Sequence, residues 1–255
     1  MNPNAPVVLC ELDPTSDPSL ESYSPFCLKV HRALKAAALP YERRHGSNPS
    51  AFKALNPIGQ VPVLLLGDES ISDSTRIVER IVALRPGLFG ADLDASARAE
   101  AWLWEDFADT SLNGYLVASR WLDDRNWDTV RQAYFGRAPW FVRALIAPRI
   151  RNRVRRTLVA RDVWRAGSEA CWRRFVATLD QLEARAPARG YWLGPALTVA
   201  DISIFAQLRS LRTDLTAWQK SEIEQRGALR DWLDRVDRAT TGEALPAPRP
   251  AREAA

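Results

Sequence analysis

Cysteine is scarce in this 255-residue chain: Cys10, Cys27 and Cys171 are the only three, and they lie far apart. That spacing excludes a disulfide framework and a paired-cysteine zinc site, so no metal is expected. A reducing compartment fits, and the cytoplasm is the expected location. Long apolar runs are missing too, with no stretch reaching the roughly eighteen residues of a membrane span. The opening residues, MNPNAPVVLCELDP, have neither a basic segment nor a long apolar one and do not read as a secretory signal. Charge of one sign is not in large excess: the net value is +4 and comes largely from one arginine-rich segment, so nucleic acid is not an expected partner. With 46% hydrophobic and 26% charged residues, the chain reads as an ordinary globular protein of one large or two small domains.

Tryptophan is absent from the first hundred residues, although the chain holds ten. The two parts are built to different rules. Val7 to Leu12 is a short apolar run that suits a buried strand. Leu28 to Leu39 has helical spacing, with Val30, Leu34 and Ala37 on one face and Lys29, Arg32 and Lys35 expected to face out. Tyr41 to His45 suits a second strand, Pro49 to Leu55 a short helix, and Val61 to Leu66 a strand. Gly67-Asp68 suits a hairpin turn and Glu69 to Ile71 the returning strand. Ser72 to Leu84 reads as a closing helix. Residues 1–85 are therefore expected as an α/β domain, 86–94 as a linker rich in Pro, Gly and Asp, and 95–240 as an all-α domain. Residues 241–255 are Pro/Ala-rich and expected to be disordered.

Three short stretches carry the chemistry. Ser24-Pro25-Phe26-Cys27 stands at the start of the first helix, where free N–H groups and the helix dipole favour a thiolate. Ser24 stands where a CxxC redox site would have its first cysteine, so no disulfide can form with Cys27. Two readings stay open: Ser24 as a plain N-cap with Pro25 at the first helical position, or Ser24 as hydroxyl donor to a ligand thiolate. Val61-Pro62 opens a strand where proline can give nothing to the ladder, which leaves Val61 able to pair with an extended peptide. Asp73-Ser74 opens the next helix and can seat a carboxylate. Together these describe a small thiol peptide with an anionic end.

These stretches, SPFCLKVHRALKAAALPYE at 24–42, NPIGQVPVL at 56–64 and SDSTRIVERI at 72–81, resemble the cytosolic glutathione transferases of the serine type. LTVADISIF at 197–205 is similar to the buried capping box of their helical domain, with Thr198 and Asp201 as its partners and Leu197 and Ile202 as its staple. The resemblance implies a thioredoxin-like α/β domain followed by an all-α domain, with a homodimer as the assembly. It implies glutathione as co-substrate and a small apolar electrophile as its partner. Ser24 then stabilises the thiolate, Val61 pairs with the cysteinyl backbone, Pro62 is a cis-proline, and Asp73 and Ser74 seat the γ-glutamyl group. Gln60 helps position the tripeptide, and Lys53, Arg44 or His45 would meet the glycyl carboxylate. Tyr23, next to Ser24, is a second candidate hydroxyl donor. Cys27 is expected as a buried small hydrophobe, with a redox role as its alternative.

One stretch departs from the common pattern. Ala118 to Gly167 is insertion-like and resembles a bacterial branch related to metaxins and failed-axon-connections proteins, where SPFCLKV also recurs. That resemblance leaves open a non-catalytic scaffold that uses the basic helical domain for protein or membrane contacts. Within the stretch, Ile146, Ile150, Val154 and Leu158 run along an arginine-rich helix. A solvated face is the simpler reading, and an anionic membrane or partner the other. The tryptophans Trp102, Trp104, Trp121 and Trp127 are expected in the core, with one or two free to line an apolar acceptor pocket.

Overall fold

The computed structural model describes residues 6–90, 92–136, 138–160 and 163–241, and the tail expected to be disordered lies almost wholly outside them. Val7–Leu12 forms β1, Pro25–Ala36 α1, Glu42–Gly46 β2, Val63–Leu66 β3, Glu69–Ser72 β4 and Ser74–Leu84 α2. The sheet runs β2-β1-β3-β4, with β2 parallel to β1 and the other two neighbouring pairs antiparallel. The parallel pair follows from the α1 crossover. The antiparallel β3/β4 pair follows from a two-residue turn, in which Leu66 faces Glu69 and Gly67 takes a φ of 61° that suits glycine. Gly46 ends β2 where a Cβ would stand 2.7 Å from that of Ala51, so only glycine lets the next turn fold back this closely.

Alternation along β1 sorts its side chains. Leu9 joins the core under α1 and α2, and Cys10 packs with Phe52 and Val63 on the other face. Glu11 returns to the α1 face, fully buried, and meets His31 there.

After α2 the regular structure among the described residues is helical, apart from one isolated bridge between Tyr191 and Gly194. The helices are α3 (Ala95–Phe107), α4 (Asn113–Trp121), α5 (Trp127–Phe135), α6 (Trp140–Val159), α7 (Gly167–Arg185), α8 (Val199–Leu211), α9 (Ala217–Glu224) and α10 (Gly227–Thr240). A single π-helical turn, Ala108–Leu112, joins α3 to α4. The capping box at α8 has both reciprocal bonds between Thr198 and Asp201.

Four details differ from the sequence expectation. Helix α1 begins at Pro25 rather than at Leu28 where its apolar spacing starts, in line with the reading of Ser24 as N-cap and Pro25, with its fixed φ, as the first helical residue. Strand β3 begins at Val63, after the proline that has no N–H to pair. The turn after β2 is a 3-10 segment of four residues, Pro49–Phe52. Lys29 and Arg32, expected to face solvent, are buried. Helix α1 lies between the sheet and the helical domain, so the face turned from the sheet meets α8 and α10. The Arg32 guanidinium stands 5.0 Å from the Phe205 ring centre and pairs with Asp237 at 2.7 Å.

Candidate functional site

The sheet register gathers the three sequence stretches at one end. Cys10 pairs with Val63 and Val63 with Ser72, so Pro62, just before β3, lies beside the last residues of β1 and next to Asp73. The loop that leaves β1 leads into Ser24.

Ser24 has extended backbone angles and its Oγ accepts the N–H of Cys27 at 3.3 Å. An oxygen that accepts this bond keeps its proton, which can turn to the buried Cys27 sulfur or to a ligand. The N–H of Ser24 is itself held by buried Ser22 Oγ at 3.3 Å. Cys27 is fully buried, and burial pushes its thiol up to about 12 despite the bond to Ser24. A helix N-terminus contributes only about 0.3–1 kcal/mol at such a site, so desolvation wins. Cys27 is a packing residue here, not a thiolate. Tyr23 turns its hydroxyl to Ser16 Oγ at 2.7 Å and stacks its ring on Tyr134 with centres 5.3 Å apart.

The turn from Asn56 to Gly59 presents the second element. Buried Asn56 donates from Nδ2 to the Gln60 carbonyl at 3.0 Å and accepts the Ile58 N–H. The Val61–Pro62 peptide bond is cis. Gln60 is exposed, as is Lys53 at the end of the 3-10 turn. His45 gives its ring nitrogen Nδ1 to the Leu12 carbonyl at 2.9 Å, and Arg44 is exposed.

The third element is the start of α2. Asp73 has a φ of 82°, and its carboxylate caps its own helix by accepting from Thr75 N at 2.9 Å and Arg76 N at 3.3 Å. The hydroxyl of buried Ser74 has no partner among the described residues.

Two buried groups that sequence reasoning did not single out hold these elements together. Lys29, one turn and a half into α1, donates to Glu105 and to Asp109, each at 2.6 Å. Glu105 also accepts the Thr75 hydroxyl at 2.6 Å, so one carboxylate of the helical domain ties α1 to the first turn of α2. Gln207 of α8 donates to the other oxygen of Asp109. Two carboxylates share one ammonium there; burial, with Glu105 adding to it and Lys29 opposing, raises the Asp109 carboxyl to about 6. The second group is Arg120, also buried, which donates to the Tyr23 carbonyl, to the Tyr134 hydroxyl at 3.0 Å and to the Ser210 carbonyl at 2.8 Å. It grips the residue before Ser24. Beneath the sheet end, burial tends to raise Glu11, but its bonds to His31 and to the Arg43 guanidinium prevail and hold it below the usual carboxylate range. His31 is thereby committed to Glu11 and Tyr41, and among the described residues no group of three or more His, Cys, Asp or Glu is arranged to hold a metal ion.

A family model described as the glutathione S-transferase N-terminal domain matches residues 25–126, and one described as the glutathione S-transferase C-terminal domain matches residues 162–235. The chain belongs to the glutathione S-transferase superfamily. The first match begins at Pro25, immediately after Ser24, and between the two lies much of the insertion-like stretch. Solved glutathione S-transferases share the fold across nearly the whole chain. Glutathione S-transferase III in its apo form is similar at 20% identity, covering 96% of this chain and all of its own, with a TM-score of 0.59. A glutathione S-transferase from Rhodospirillum rubrum F11 matches at 22% identity, with 96% of each chain covered and a TM-score of 0.60. The beta-etherase LigF from Sphingobium sp. strain SYK-6 matches at 22% identity, covering 91% of this chain and 94% of its own, with a TM-score of 0.57. The likeness to these glutathione S-transferase relatives is one of fold.

Proposed function

We propose that this protein is a glutathione transferase that joins the glutathione thiolate to a small apolar electrophile. The observation that carries the reading is the meeting of Ser24, the cis Val61–Pro62 bond and the Asp73-Ser74 helix start at one end of one sheet. The Ser24 oxygen accepts from Cys27 N–H and its hydroxyl proton can swing from the Cys27 sulfur to a ligand sulfur. Such a bond, with the dipole of α1 behind it, lowers the thiol pKa and raises the thiolate fraction near neutral pH. Val61 lies outside the ladder, with its backbone available to an extended peptide. The Ser74 hydroxyl and one oxygen of Asp73 remain for the γ-glutamyl end, and exposed Gln60 and Lys53 flank the loop. For the electrophile, a cavity of about 880 Å³ between α4 and α6 offers Tyr115, Val117, Val154 and Leu158, with Asp109 also in its lining. A homodimer in the cytoplasm is part of this reading. The burial of Cys27 and its raised thiol weigh against the redox alternative.

The test is retention on immobilised glutathione together with conjugation of chlorodinitrobenzene. Ser24→Ala should abolish most turnover and Cys27→Ala should leave it. The opposite pattern transfers the chemistry to Cys27, and no retention at all leaves a scaffold with the transferase fold.

A further inference from the structure

Helix α6 is unlike the rest of the surface. Of the seven large hydrophobic side chains that stand exposed among the described residues, five lie on it: Trp140 (74% exposed), Phe141, Leu145, Ile146 and Val159. The helix also carries six arginines and not one aspartate or glutamate. Arg151 is turned inward, to the Trp121 carbonyl, the Asp124 carboxylate and the face of Trp127, and so fixes α6 to the domain. Arg149, Arg153, Arg155 and Arg156 have no acidic partner among the described residues.

The turn of the helix orders these groups. Ala147 and Leu158 are buried and mark the inward face. On the opposite side Phe141, Leu145, Arg149, Asn152 and Arg156 follow one another at helical spacing. The outward face is thus apolar and aromatic at its N-terminal end and basic at its C-terminal end. From this we infer that α6 docks on the surface of an anionic lipid bilayer, with Phe141 and Leu145 entering the headgroup boundary and the arginines meeting phosphates. Two features favour lipid over an acidic protein. The apolar groups stand exposed on the helix, and the cavities that α6 lines are walled by Arg153, Val154 and Leu158 or by Arg151 and Arg155, not by them. A phenylalanine–leucine end followed by arginines without acidic partners also matches what an interfacial helix needs: apolar area plus attraction to anionic headgroups. No helix among the described residues is long and apolar enough to cross a membrane, so the contact is peripheral.

The inference does not depend on the transferase reading. It is tested by sedimenting the full-length protein with vesicles of phosphatidylcholine alone or mixed with phosphatidylglycerol, while retention on immobilised glutathione is measured on the same preparations. Binding is expected only to the anionic vesicles and should fall with added salt. Arg149→Glu with Arg156→Glu should weaken it by at least about 25-fold, counting roughly five-fold for each arginine lost. Phe141→Ser with Leu145→Ser should weaken it as well. All four residues are exposed, so both variants should keep the far-ultraviolet circular dichroism of the parent. Equal binding to neutral vesicles, no binding to anionic ones, or full binding by either variant overturns the inference. Capture by polyglutamate without binding to anionic vesicles also overturns it and gives the surface to an acidic protein.

Discussion

Ser24 has two duties at one atom, and they can be separated. Its oxygen caps α1, and its proton can pass from the buried Cys27 sulfur to a ligand sulfur. Ser24→Gly should cost only a few tenths of a kcal/mol of stability, whereas Ser24→Ala should cost about 1 kcal/mol. Both remove the donor, so both should lower the conjugation rate, on the order of 10²-fold as for other lost oxyanion donors. Rates that follow the stabilities instead would make Ser24 a cap and nothing more; thermal melts beside initial rates decide it. Asp109 makes a second prediction at this scale. Its folded pKa of about 6 lies above the ordinary 3.8, so between those values the folded chain holds a proton that the unfolded chain has lost. Stability from this group is therefore present below about pH 4 and lost as pH rises through about 6. Asp109→Asn removes that loss. The melting temperature of the variant relative to the parent should rise from pH 4.5 to pH 7 (a window of about two units around this titration), and a difference independent of pH would show that the proton sits elsewhere.

At the scale of elements, the loop before α1 is held by a helix distant in sequence. Arg120 gives three hydrogen bonds to Tyr23, Tyr134 and Ser210, and two of its acceptors are backbone carbonyls with no freedom to turn away. Arg120→Met should cost about 3 kcal/mol, since bonds from a charged donor are each worth about 1.5–3 and the carbonyls are left dry. Arg120→Lys should recover only part, because one ammonium cannot reproduce a planar fork; urea unfolding of the two variants checks this. The strands and the first helix were legible because each has its own local cause: the β1 apolar run, the Ser24-Pro25 start and the Gly67-Asp68 turn. Lys29 and Arg32 were misread because helical spacing tells which residues share a face but not whether that face is covered. Here a second layer covers it: α8 and α10 from more than 160 positions away, and, over Lys29, Glu105 and Asp109 from 76 and 80 positions away. One mark of the buried charges was visible: Glu105 falls on the same helical stripe as Ala101, Ala108 and Leu112, all buried. An acid in the middle of an apolar stripe needs a cation, and nothing local says that Lys29 supplies it. Arg120 had no such mark, since its acceptors are backbone atoms that any sequence would provide.

Across the whole molecule one core runs through both halves: Leu9, Val30 and Ile77 of the first part join the same buried cluster as Leu112, Phe205 and Trp232 of the second. The Lys29–Glu105–Thr75 contacts cross the same boundary. A ligand held by the first half should therefore stabilise the second. Glutathione at about a hundred times its dissociation constant should add about 2.7 kcal/mol. For a chain of this size that corresponds to a rise of roughly 5–10 °C in melting temperature. All ten tryptophans lie at or beyond Trp102, so their fluorescence follows the helical half, while far-ultraviolet circular dichroism follows both. If the halves are one cooperative unit, glutathione should move the two transitions together and by the same amount. A rise seen by circular dichroism but not by tryptophan fluorescence would mean that the halves unfold separately, with the shared core and the Glu105 carboxylate too weak to couple them.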